Sequence, residues 1–139
     1  MRISILALVA ILLAAATPTF AHHAFGSEFD PNRPLLLKGK VVRVEWVNPH
    51  AWIHIEVTNP NGSKDVWMVE GGSANSLLRR GVTKDSLKVG TEVIVDGYQA
   101  RDYTLKRANG RNITYPDGRK LFLASSAPDA EDKDVERKK

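Results

Sequence analysis

Two neighbouring stretches that alternate apolar and polar residues constrain this chain most. Residues 51–58 (AWIHIEVT) put Ile53, Ile55 and Val57 on one side and Trp52, His54 and Glu56 on the other. A period of two builds a strand with one buried face, and a helix cannot use it. Residues 35–47 (LLLKGKVVRVEWV) are rich in branched side chains and alternate over Val42, Val44 and Trp46, with Gly39 as a candidate bend. Asn48-Pro49-His50 joins the two as a turn. Asn59-Pro60-Asn61-Gly62 then makes a hairpin turn into a third strand at 65–70, which Gly71-Gly72 ends.

The pattern changes at residues 73–80 (SANSLLRR), a short helix. Ser73 can cap its start, Arg79 and Arg80 suit its negative end, and Gly81 stops it. A fourth strand follows at 91–98, then a polar loop at 101–110. Residues 111–115 and 120–123 flank the Pro116-Asp117-Gly118 turn as a last hairpin or an interrupted fifth strand. Three strands, a helix and two more strands is the order of the OB-fold. The expectation is therefore a mainly β protein: a small five-stranded OB-like barrel with one short helix between strands 3 and 4. Another small β-barrel or a sandwich shares that element order.

The ends of the chain speak to compartment. Arg2, the almost wholly apolar residues 3–16, Pro18 and Thr19-Phe20-Ala21 have the layout of a secretion signal cleaved after Ala21. The apolar run is shorter than the roughly 20 residues of a membrane span. Cleavage leaves about 118 residues, enough for one domain, and the periplasm is the expected location. Residues 22–34 read as an extended arm that Phe25 and Phe29 can pin to the core, residues 35–126 as the barrel domain. Residues 127–139 (APDAEDKDVERKK) read as a disordered charged tail. The chain has no cysteine, which excludes thiol catalysis, thiolate zinc sites and iron–sulfur clusters. A net charge of +4 is too small a surplus to make nucleic acid an expected partner.

Several unusual phrases occur in order: HHAF at the mature start, KGKVVRVEWVNPHAWIHIEV, EGGSANSLLRRGVTKDSLKVGTEVIVDGYQARD and PDGRKLF. In these the chain resembles the bacterial exported proteins grouped as domain of unknown function family 6152, over nearly all of residues 22–123. The resemblance implies a periplasmic single-domain protein and implies no activity. Tyr103-Thr104-Leu105-Lys106-Arg107 departs from it by making the loop after Asp102 longer and more basic.

The residues that can carry chemistry are few. His22, as the first residue of the mature chain, would offer an α-amine and an imidazole to one ion, an arrangement suited to copper. His23 is tethered too closely to serve as the second ligand, which leaves His50 or His54. On a straight strand those two stand roughly 13 Å apart, so they share an ion only if the Pro49 turn folds His50 back. Glu45, Glu56 and Glu70 are candidate oxygen ligands from neighbouring strands, although Glu56, two residues from His54, stands roughly 7 Å from it. Trp52, on the side opposite Ile53 and Ile55, is a candidate stacking platform for a small ligand or a periplasmic protein partner. Arg101 and Arg107 are further candidate ligand-binding residues, within a basic region around the helix and the long loop that includes Arg79, Arg80, Lys106 and Arg111. No G-x-S-x-G elbow, phosphate loop or H-E-x-x-H pair is present. The reading is a non-enzymatic binding or accessory protein, with a copper carrier or copper redox protein as the alternative.

Overall fold

The computed structural model describes residues 25–123. The signal segment, His22 and His23, and the 127–139 tail lie outside the described residues. Residues 25–28 are helical and lead into β1 (Phe29–Glu45), followed by β2 (Trp52–Thr58) and β3 (Lys64–Glu70). A short helix α1 (Ala74–Arg79) and a 3-10 turn (Lys84–Ser86) come next. Then follow β4 (Glu92–Ala100), β5 (Arg107–Thr114) and β6 (Lys120–Phe122). The protein is mainly β, as its alternation dictates.

Pairing runs β3-β2-β1-β4-β5-β6, and β3 also pairs with β5. That extra pairing, parallel over Met68–Arg107, Val69–Ala108 and Glu70–Asn109, closes β1 to β5 into a ring. Inside it, Leu37, Val41, Ile53, Ile55, Val69, Val95 and Ile113 form the main core. Ile53 and Ile55 are fully buried, so the alternation of β2 holds as read.

β1 serves both sides of the ring. Its first part pairs with β4, and residues 40–45 pair with β2. A Cβ at Gly39 would stand 2.1 Å from the Glu56 carbonyl oxygen, so only glycine lets the two strands meet at the bend. Gly97 plays the same part between β4 and β5, where a Cβ would stand 2.0 Å from the Asn109 carbonyl oxygen.

Three differences from the sequence reading have local causes. β1 begins at Phe29, within the segment read as an arm, because residues 29–34 pair with β4 on one side and carry no partner on β2. Pro31 and Pro34 are tolerated on such an open edge. Val42 does not share a face with Val44 and Trp46: the register shifts between Val41 and Arg43, and the extra residue turns outward. Leu37 and Val41 therefore point inward before the bulge, and Val44 packs on the core after it. β5 begins at Arg107, inside the stretch read as a polar loop, because residues 107–109 are drawn straight by pairing with β3.

The connections follow their turn residues. Ser73 caps α1 by accepting from the Ser76 N–H at 3.0 Å, and Gly81 leaves the helix at φ 79°. Leu77 packs beneath with Ala51 and Val82, and Trp46 lies against them. Thr83 caps the 3-10 turn, and the Tyr115 hydroxyl donates to the Ser86 carbonyl to pin it to the ring.

Candidate functional site

With Ile53 and Ile55 turned inward, β2 must present Trp52 and His54 on the outside of the ring. Register then decides their neighbours. One row runs Glu45, Trp52, Glu70, Asn109 and Tyr98 across β1, β2, β3, β5 and β4. A second row runs Arg43, His54, Met68 and Arg107. The loop at 46–51 brings His50 to the end of the first row.

The centre of this face is unusually dry for a surface. Glu70 is 5% exposed and Asn109 fully buried. The Asn109 amide donates to Glu70 Oε1 at 3.3 Å, and His50 Nδ1 stands 3.4 Å from the same oxygen and 3.3 Å from the Gly71 carbonyl. Burial pushes the Glu70 carboxyl above the ordinary carboxylate range, against the opposing pull of His50, Arg107 and the Asn109 amide. Asn109 Oδ1 and Arg107 Nε are buried with no hydrogen-bond partner among the described residues. The Arg107 guanidinium lies 4.7 Å from the centre of the Trp52 ring and 3.6 Å from the Glu28 carboxylate. Trp52 is half-buried beneath it.

His54 sits in a separate cluster. Its Nε2 donates to Glu45 at 2.8 Å, and Arg43 reaches the same carboxylate oxygen at 3.3 Å. The fold thus gives His50 and His54 different carboxylate partners. Among the described residues, no three His, Asp or Glu side chains converge as a metal-ligand group. His50 and Glu70 do meet, a pairing that spacing along the chain could not show, because a turn and a strand register produce it.

The basic loop at 101–106 is largely engaged with the chain itself. The Arg101 side chain donates to the Gly26 carbonyl at 2.6 Å and its backbone N–H to the Glu28 carbonyl at 2.9 Å. The Tyr103 hydroxyl donates to Asp30 at 3.1 Å, and Arg33 lies over the Tyr103 ring at 3.9 Å. Phe25 and Phe29 pack on Tyr98 and Ala100. The segment from Phe25 onward is thereby folded across the outer face beside Arg107. The rest of the basic region is also spent internally. Arg111 bonds Asp96 at 2.9 Å, Lys106 bonds Asp65 at 3.0 Å, and Arg80 stacks on Phe122.

A cavity of about 580 Å³ lies elsewhere, lined by Lys38, Lys40, Glu56, Lys64, Glu92 and Thr114 among others. Lys40 and Lys64 are paired there with Glu92 and Glu56 at 3.6 and 2.8 Å. Among the described residues, no helix is long and apolar enough to cross a membrane.

No curated protein and no solved structure matches the chain. A family model does match, over residues 9–109, and it spans β1 to β4, the 101–106 loop and the first residues of β5 that carry Arg107 and Asn109. On that match the chain belongs to the family of unknown function DUF6152.

Proposed function

We propose that this is an exported, periplasmic, non-enzymatic binding or accessory protein on an OB-like ring, and that it takes its ligand or partner on the outer face of β2, β3 and β5. The observation that carries the reading is the Trp52–Arg107 stack. It lies between the loops at 46–51 and 101–106, the positions that OB domains use around the face of strands 2 and 3. The strand order closed by the parallel β3–β5 pair supports the OB-like assignment. An aromatic ring under a guanidinium offers stacking and hydrogen bonding at one place. Titration with cell-envelope oligosaccharides, read by tryptophan fluorescence, tests it. Trp52→Ala should weaken capture at least tenfold with the thermal transition unchanged, whereas capture equal to that of the parent chain would defeat the reading. Fractionation with N-terminal sequencing tests export: the periplasmic chain should begin at His22.

The copper reading keeps one supporting observation. The Phe25–Phe29 stretch folds back onto Tyr98, and Glu28 reaches Arg107, so the chain from Phe25 onward runs beside the face that holds His50. His22 with His50 is then the better pairing, since the His54 Nε2 is taken by Glu45.

A further inference from the structure

The cavity of about 580 Å³ lies away from the Trp52–Arg107 stack, where β1, β2, β4 and the end of β5 come together. Leu37, Val41, Val93 and Ile113 point into the core, so Lys38, Lys40, Ile94 and Thr114 point outward. Strand register then orders the charges. Lys40 stands between Glu56 and Glu92 of the flanking strands. The next outward row runs Lys38, Ile94, Thr114 and Lys120 across β1, β4, β5 and β6. In the first row each carboxylate is matched: Glu92 by Lys40 at 3.6 Å and Glu56 by Lys64 at 2.8 Å. The second row holds no carboxylate, and Lys38 and Lys120 form no ion pair among the described residues. The acids nearest to it in the fold are already engaged, Asp96 by Arg111 at 2.9 Å and Asp117 by Arg119 at 2.6 Å. Lys38 is thus a surplus positive charge within the cavity, and Lys120 is a second one at its rim, opposite Thr114.

We propose that this cavity is a second ligand site, and that it takes a small phosphate monoester. Its volume falls within the roughly 300–1,000 Å³ of small-molecule pockets. A phosphate monoester carries close to two negative charges at neutral pH, which matches the two surplus ammonium groups. Lysine meets phosphate as a point charge and needs no bidentate geometry. The Thr114 hydroxyl, in the same row between Lys38 and Lys120, can donate to a phosphate oxygen. Ile94, Tyr115 and Pro116 give the body of the ester an apolar wall. That wall is preformed, because the Tyr115 hydroxyl is held by the Ser86 carbonyl and Arg119 lies over the outer side of its ring. The Lys40–Glu92 and Lys64–Glu56 pairs are largely exposed, so they hold their lysines weakly and leave them able to turn toward the ligand.

The site shares no residue with the Trp52–Arg107 stack, so the two readings succeed or fail separately. Glycerol 3-phosphate serves as the probe, titrated into the chain beginning at His22 in phosphate-free buffer and followed by amide chemical shifts. The proposal expects saturable binding with a dissociation constant below about 1 mM, and the largest shifts at residues 38–40, 92–94 and 114–116. Lys38→Gln should weaken binding at least fivefold and Lys120→Gln at least twofold. Arg79→Gln removes the same charge from α1, and it should leave the affinity unchanged, as should Trp52→Ala. The dispersed spectrum of each variant reports that it is folded. An equal loss with Lys38→Gln and with Arg79→Gln would reduce the effect to net charge and overturn the site. Titration without saturation, or shifts centred on residues 52 and 107, would overturn it as well. Vesicles of phosphatidylglycerol, whose phosphate is a diester with one charge, test a lipid source. Binding to those vesicles with no binding of glycerol 3-phosphate would replace the cavity site with a membrane surface.

Discussion

Glu70 is the residue on which the site turns. It sits mid-row between Trp52 and Asn109, and burial lifts its carboxyl above the ordinary range. A raised carboxyl binds its proton more tightly in the folded state than in the unfolded chain. Folding stability therefore falls as pH rises from the unfolded value near 4.5 through the folded one, and stays reduced above it. Glu70→Gln in metal-free buffer should accordingly be more stable than the parent chain at pH 7, by about 1 kcal/mol. The difference should vanish below the unfolded carboxyl range. Denaturant midpoints at pH 3.5 and 7 check it, and a difference of the same size at both would remove burial as the cause. Each of these residues was visible in the sequence by type: His50 as a turn residue, Glu70 as a reachable carboxylate, Trp52 as an outward aromatic. Their grouping was not visible, since it depends on which residue of β3 faces Trp52. Asn109 falls in a stretch that reads as polar loop until β3 pairs with it.

At the scale of elements, β1 and the segment ahead of it do most of the shaping. The Gly39 bend was legible from composition. The Val42 bulge was not, because a run of two valines fits either phase of a strand. Gly39→Ala drives a methyl into the Glu56 carbonyl, so it should cost about 3 kcal/mol or more and show as a large drop in the denaturant midpoint. Ile55→Ala, by contrast, leaves a cavity in an otherwise intact core, at about 2–5 kcal/mol. The N-terminal segment is held differently, by Arg101, Arg107, Tyr103 and two phenylalanine rings. Arg101→Ala should release it without opening the ring. Amide exchange would then speed up at residues 25–34 while Val41, Ile55 and Val95 keep their protection; equal loss in both groups would show that the segment is integral to the core. Nothing local in the sequence reveals that Arg101 and Arg107, both candidate ligand-binding residues, have Gly26 and Glu28 as partners in the fold.

The whole molecule is a ring because β3 and β5, far apart in sequence, run parallel for three residue pairs. That closure fixes the outer face, placing β5's Arg107 and Asn109 beside β3's Met68 and Glu70. Element order gave the strands and the helix between them; the closing pair is a long-range contact that no local pattern carries. The account's central claim is that the protein works through the face of β2, β3 and β5. The most direct measurement installs a photoreactive amino acid at Met68, in one row with His54 and Arg107, and at exposed Leu36 on the β1–β4 side, in the living cell. Adducts formed from position 68, and reduced by Arg107→Ala, are the predicted result. Adducts formed equally or preferentially from position 36 would contradict the account.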